Sequence, residues 1–93
     1  MELNVKLKEG FFKTKDYYLI IDNGVFSLTT LNNLVVKTFN SSKLESITIF
    51  NNNLKQIELK TNDETFTLLL PKEDSDKLKH VLLDLKSKIY FEE

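Results

Sequence analysis

The chain has no cysteine, no tryptophan and no arginine, and only one histidine and one proline in 93 residues. Without cysteine there are no disulfides and no thiolate chemistry, so a small core must hold itself without cross-links. Without arginine, all 13 basic residues are lysine. The planar fork that grips phosphate, carboxylate or guanine in two places is therefore missing. Abundant Lys, Asn, Ile and Phe are also what an AT-rich coding sequence produces. A single histidine, His80, lacks the two or three companions that a metal site needs. It also lacks the second, oriented group that nucleophilic catalysis needs. No apolar run approaches the roughly 20 residues that span a bilayer as a helix. The longest runs, 17–21 and 66–70, have the length of strands. The N-terminal stretch Met1-Glu2-Leu3-Asn4-Val5 has no basic region followed by an apolar block, so no signal peptide is read and a cytoplasmic address is expected.

What is present describes an ordinary folded chain. A hydrophobic fraction of 41% argues against disorder, and the length allows one domain over residues 1–93 with one core. The 13 basic and 14 acidic residues are interspersed and sum to −1. A nucleic-acid partner is not expected, because it calls for a basic surplus on one face.

Seven strand-like stretches follow one another at intervals of about ten residues, each bounded by a turn signal. Leu3, Val5 and Leu7 alternate with Asn4, Lys6 and Lys8, which predicts a half-buried first strand. Gly10 reads as a bulge or bend in it, with Phe11 and Phe12 resuming the strand. A polar turn is expected over Lys13 to Asp16. Tyr17 to Ile21 forms the second strand, and Asp22-Asn23-Gly24 is a strong hairpin signal. Further strands are expected at Val25 to Thr30, Leu34 to Phe39, Leu44 to Phe50, Leu54 to Lys60 and Glu64 to Leu70. Phe26 and Leu28 share one face, as do Ile47 and Ile49, Ile57 and Leu59, and Phe66, Leu68 and Leu70.

After these strands the period changes. Pro71 suits the first turn of a helix. Glu73, Asp74 and Asp76 put negative charge near its start, and Lys86 and Lys88 put positive charge near its end. Leu78, Val81, Leu82, Leu85 and Ile89 form one apolar stripe. A helix from about Lys72 to Ile89 is predicted, docked by that stripe on the β structure. The expected core is Leu19 or Ile20, Phe26, Ile47, Ile57, Leu59, Phe66, Leu68, Leu78, Leu82 and Leu85.

This order of elements, with the segments Lys8-Glu9-Gly10-Phe11-Phe12-Lys13, Tyr17 to Phe26 and Ser41-Ser42-Lys43-Leu44-Glu45-Ser46-Ile47, resembles the pleckstrin-homology-like superfold. The resemblance covers nearly the whole chain as a pattern of hydrophobic positions and turns. It implies a seven-stranded antiparallel barrel or sandwich capped by one C-terminal amphipathic helix. Eukaryotic members usually carry a tryptophan on that helix. Leu78 stands about there instead, which points to a divergent, small bacterial-type member.

The chain is expected to bind rather than catalyse, since no catalytic constellation, metal cluster or phosphate-cradling glycine loop can be assembled from its residues. No cofactor is expected. Asp63, Glu73, Asp74 and Asp76 are accounted for by turn formation and helix-start charge. The leading expectation is a protein-interaction module of adaptor, inhibitor or immunity type, with an unidentified protein partner or self-association. The resemblance places its surface between the helix and strand five, around Phe50, Lys79, Leu83 and Tyr90. Leu83 is the informative residue, being apolar yet off the stripe. Phe39, Phe50, Tyr90 and Phe91 could form an exposed aromatic cluster or a satellite core under the helix end. The alternative is a peripheral membrane module. In lipid-binding members of the superfold, basic residues corresponding to Lys6, Lys8, Lys13 and Lys15 grip anionic head groups. The strand-two arginine that completes that grip is absent, with Asp16, Tyr17 and Tyr18 in its place. Lysines on a strand edge also serve simply to block aggregation.

Overall fold

Asn23 (φ 51°) and Gly24 (φ 77°) both take the left-handed conformation, which makes the tight two-residue turn between Asp22 and Val25. Such a turn matches the twist of the two strands it joins. From that hairpin the sheet grows in both directions. The computed structural model describes residues 1–11, 13–50, 55–84 and 89–92; at residue 55 and residues 89–92 the backbone alone is described.

The strands are β1 (Glu2–Lys8), β2 (Thr14–Asp22), β3 (Val25–Thr29), β4 (Val35–Asn40), β5 (Leu44–Phe50), β6 (Lys55–Thr61) and β7 (Thr65–Leu70). Helix α1 spans Lys72–Asp84, and a last short strand, β8, spans Ile89–Glu92. The order in the sheet is β4-β3-β2-β1-β7-β6-β5-β8. The first seven strands pair antiparallel throughout and curl into a half-barrel. β8 lies parallel to β5, Ile89 opposite Ile47 and Glu92 opposite Phe50.

The concave face carries the core. Leu3 and Val5, Tyr17, Leu19 and Ile21, Phe26 and Leu28, Ile47 and Ile49, Ile57 and Leu59, and Phe66, Leu68 and Leu70 are all buried. Each set is spaced by two, as a one-sided strand requires. Leu78 and Leu82 of α1, both at 0% exposure, complete the cluster, with Val81 packed against it. Every expected core residue among those described is buried; Leu85 lies outside the described residues. Phe39 links edge strand β4 across the concave face to β7. Its ring stacks on Phe26 at 5.1 Å and on Phe66 at 5.3 Å. It therefore belongs to the core edge, not to an exposed aromatic cluster.

Three boundaries differ from the sequence reading by more than one residue. The first strand ends at Lys8, and Gly10 lies in a turn closed by Glu9 N–H donating to the Lys13 carbonyl at 2.9 Å. The polar stretch Thr14 to Asp16 is not a turn but the start of β2, paired with Lys6 to Lys8. A hairpin end that stands clear of the core needs no apolar alternation, so its pattern looked like a loop. The helix does not reach Ile89, which opens β8 instead. Ile89-Tyr90-Phe91 is as suited to a strand as to a helical stripe, and the free side of β5 supplies the pairing. Among the described residues no helix is long and apolar enough to cross a membrane.

Candidate functional site

Leu34, Val35 and Val36 are three consecutive apolar residues at the start of a strand. A period of two cannot bury all three. β4 ends the sheet, paired with β3 on one side only among the described residues. Leu28 pairs with Lys37 and Thr29 with Val35, so Val36 is an extra residue in a bulge. All of β4 except Phe39 is exposed. Leu34 is 65% exposed, Val35 63% and Val36 50%. Leu31, in the turn before them, is 55% exposed. The turn is held in shape by Thr30. Its amide donates to the Leu34 carbonyl at 2.9 Å, and its hydroxyl accepts from Leu34 N–H at 3.1 Å. Four aliphatic side chains are thus fixed on the surface at one corner of the fold, where folding gives no reason for them.

A cleft of about 460 Å³ adjoins this corner on the convex face. Tyr18, Leu31, Leu69 and Pro71 give it apolar walls, and Lys6 and Asp16, 3.6 Å apart, lie beside them. Leu31 belongs to both the cleft and the hairpin, so the apolar surface is continuous. A second cleft of about 430 Å³ lies between β4 and the β6–β7 turn. It is lined by Phe39 and Phe66 and by two charges of each sign: Lys37, Lys43, Asp63 and Glu64.

The residues expected between helix and strand five are placed as follows. Leu83 is exposed at 57%, and His80 is exposed beside it. Lys79 lies 4.0 Å from Asp76. Phe50 is half-buried and alternates with Ile47 and Ile49, so it points to the convex face, whereas Leu78 and Leu82 join the concave core. Tyr90 pairs through its backbone with Thr48; its side chain lies outside the described residues, as does that of Phe91.

The four lysines of the other surface are split by the pleat. Lys6 and Lys8 pair with Asp16 and Thr14 on the convex face, while Lys15 pairs with Leu7 on the concave side. Lys6 is partnered by Asp16, and the Lys15 ammonium sits 5.7 Å from the centre of the Tyr17 ring. Lys13 closes the turn, whose tip carries Phe11 at 91% exposure. The Tyr17 hydroxyl reaches back to Glu9 Oε1 at 3.4 Å.

The β3–β4 corner went unnoticed in the sequence as a surface. The sequence signal was an unalternating Leu-Val-Val beside an Asn-Asn turn, a run that fits a strand buried on both faces as well as an exposed edge. Among the described residues, no three of the His, Asp and Glu side chains converge as metal ligands. No protein-family model matches the chain, and no curated protein matches it in sequence.

Proposed function

We propose that this chain is a non-catalytic binding module of pleckstrin-homology-like type that acts through protein–protein contact, as an adaptor, an inhibitor or an immunity-type protein. The strand order β4-β3-β2-β1-β7-β6-β5 followed by a helix supports the fold assignment; β8 is an addition to it. The observation that carries the functional reading is the apolar corner of Leu31, Leu34, Val35 and Val36. Large exposed apolar patches mark interaction surfaces, and this one is built on a hydrogen-bonded hairpin, so little ordering cost accompanies docking. The test is capture by the immobilised wild-type chain against Leu34→Lys. A stoichiometric protein retained by the wild type and lost by the variant supports the reading. Equal retention by both removes the corner from the interface.

A second reading has its own observation. Phe11 stands 91% exposed at the β1–β2 tip between Lys8 and Lys13. An aromatic tip flanked in sequence by two lysines suits an anionic lipid surface. Co-sedimentation with phosphatidylserine vesicles that is absent with neutral vesicles and lost in Phe11→Ser would replace the protein-binding reading by this one.

A further inference from the structure

We infer that β4 is a self-association edge, through which two copies of this chain pair antiparallel about a twofold axis at Thr38. The inference rests on the reading of the β3–β4 corner as a protein-binding surface and names its partner. An edge strand presents a row of unpaired N–H and C=O groups, and folds normally guard it with charge, proline, a bulge or a covering segment. Of the two sides of the half-barrel, the free side of β5 is covered by Ile89–Glu92. β4 has no such cover among the described residues. It contains no proline. Its bulge is confined to Val36 at its beginning, so Lys37 to Asn40 pair regularly with Leu28 to Val25. Its one charge, Lys37, is paired with Glu64 across the fold at 2.7 Å.

Charge also favours a copy over a charge-selected partner. Lys37 and Lys43 are matched by Asp63 and Glu64 around the same cleft, and the chain carries a net −1. A second copy therefore meets no strong field of its own sign. A twofold interface makes one β4 residue pair with itself. An axis at Lys37 would set lysine against lysine, which is unfavourable. An axis at Thr38 sets threonine against threonine, a favourable cross-strand pair, with Lys37 opposite Phe39 and Val36 opposite Asn40. Val35 and Leu34 then extend past the ladder onto the Ser41–Lys43 turn of the second copy and lose their exposure to water.

Sedimentation velocity of the whole chain from micromolar to near-millimolar concentration tests this, with thermal melts to confirm that each variant folds. A concentration-dependent dimer is expected, weakened at least about tenfold, or about 1.4 kcal/mol, by Val36→Lys. The chain has no cysteine, so Thr38→Cys supplies the only thiol; it should form a disulfide dimer on mild oxidation, whereas Asn62→Cys in the β6–β7 turn should not. A wild type that stays monomeric over the whole range overturns the inference, as does equal cross-linking through positions 38 and 62. If the chain is monomeric but Leu34→Lys still loses a captured protein, self-pairing fails and the interaction reading stands. If that capture is also unaffected, both fail.

Discussion

Lys37 Nζ lies 2.7 Å from Glu64 Oε2, joining edge strand β4 to the β6–β7 turn. Both side chains are 43% exposed, so water screens the pair and its worth is small. A double-mutant cycle with Lys37→Met and Glu64→Gln should give a coupling of about 0.2–1 kcal/mol in urea unfolding. The coupling should shrink in 1 M salt, where the screening length falls to about 3 Å. A coupling that does not respond to salt would contradict the exposed geometry.

Phe39 bears the greater part of the connection between the same elements. Its ring lies between those of Phe26 and Phe66. Phe39→Ala should cost about 3 kcal/mol, from lost apolar contact, a cavity and two stacked pairs. Phe39→Leu should recover more than half of that. A loss under about 1 kcal/mol for the alanine variant would show that β4 closes without the stack.

Leu82 and Leu83 are neighbours in sequence with opposite environments, 0% and 57% exposed. Leu82→Ala should lower stability by about 2–5 kcal/mol, enough to unfold much of a domain whose total is about 5–10 kcal/mol. Leu83→Lys should stay within about 0.5 kcal/mol of the wild type. Paired thermal melts read both. Similar shifts for the two would mean that α1 does not dock by the Leu78–Leu82 face.

Ser75 is fully buried in the first turns of α1, and its hydroxyl has no hydrogen-bond partner among the described residues. Its amide is satisfied by the Pro71 carbonyl at 2.9 Å. Removing an unpartnered buried hydroxyl relieves a desolvation cost, and alanine is the better helix former. Ser75→Ala should therefore raise the unfolding free energy by about 1 kcal/mol. A fall would contradict an unpartnered hydroxyl.

Period and turn chemistry made most of the fold legible. Asn23-Gly24 announced its hairpin because few other pairs accept positive φ twice. Ile47/Ile49, Ile57/Leu59 and Phe66/Leu68/Leu70 announced their buried faces by spacing alone. What spacing cannot report is which strand ends the sheet. Val35 and Val36 look like any buried pair until the topology leaves β4 without an outer neighbour. The pleat hid the fate of the lysines too: Lys6, Lys8, Lys13 and Lys15 cluster in sequence, yet β1 and β2 send Lys6 and Lys15 to opposite faces. Ile89 continued a helical stripe, and only the free side of β5 shows why it became a strand.

The pairing of β1 with β7, Lys6 opposite Leu69 and Leu7 opposite Leu68, joins strands about sixty residues apart in the chain at the middle of the sheet. The β1–β2 hairpin can form from neighbours in sequence, but the other flank of β1 stays open until β7 has been made. Folding must therefore wait on a long-range closure, and such topologies fold in milliseconds to seconds rather than microseconds. During synthesis on the ribosome, β1 is a bare template facing whatever strand arrives first. Charged side chains on an open strand discourage pairing with a foreign one, and Lys6 and Lys8 stand on β1 in that role.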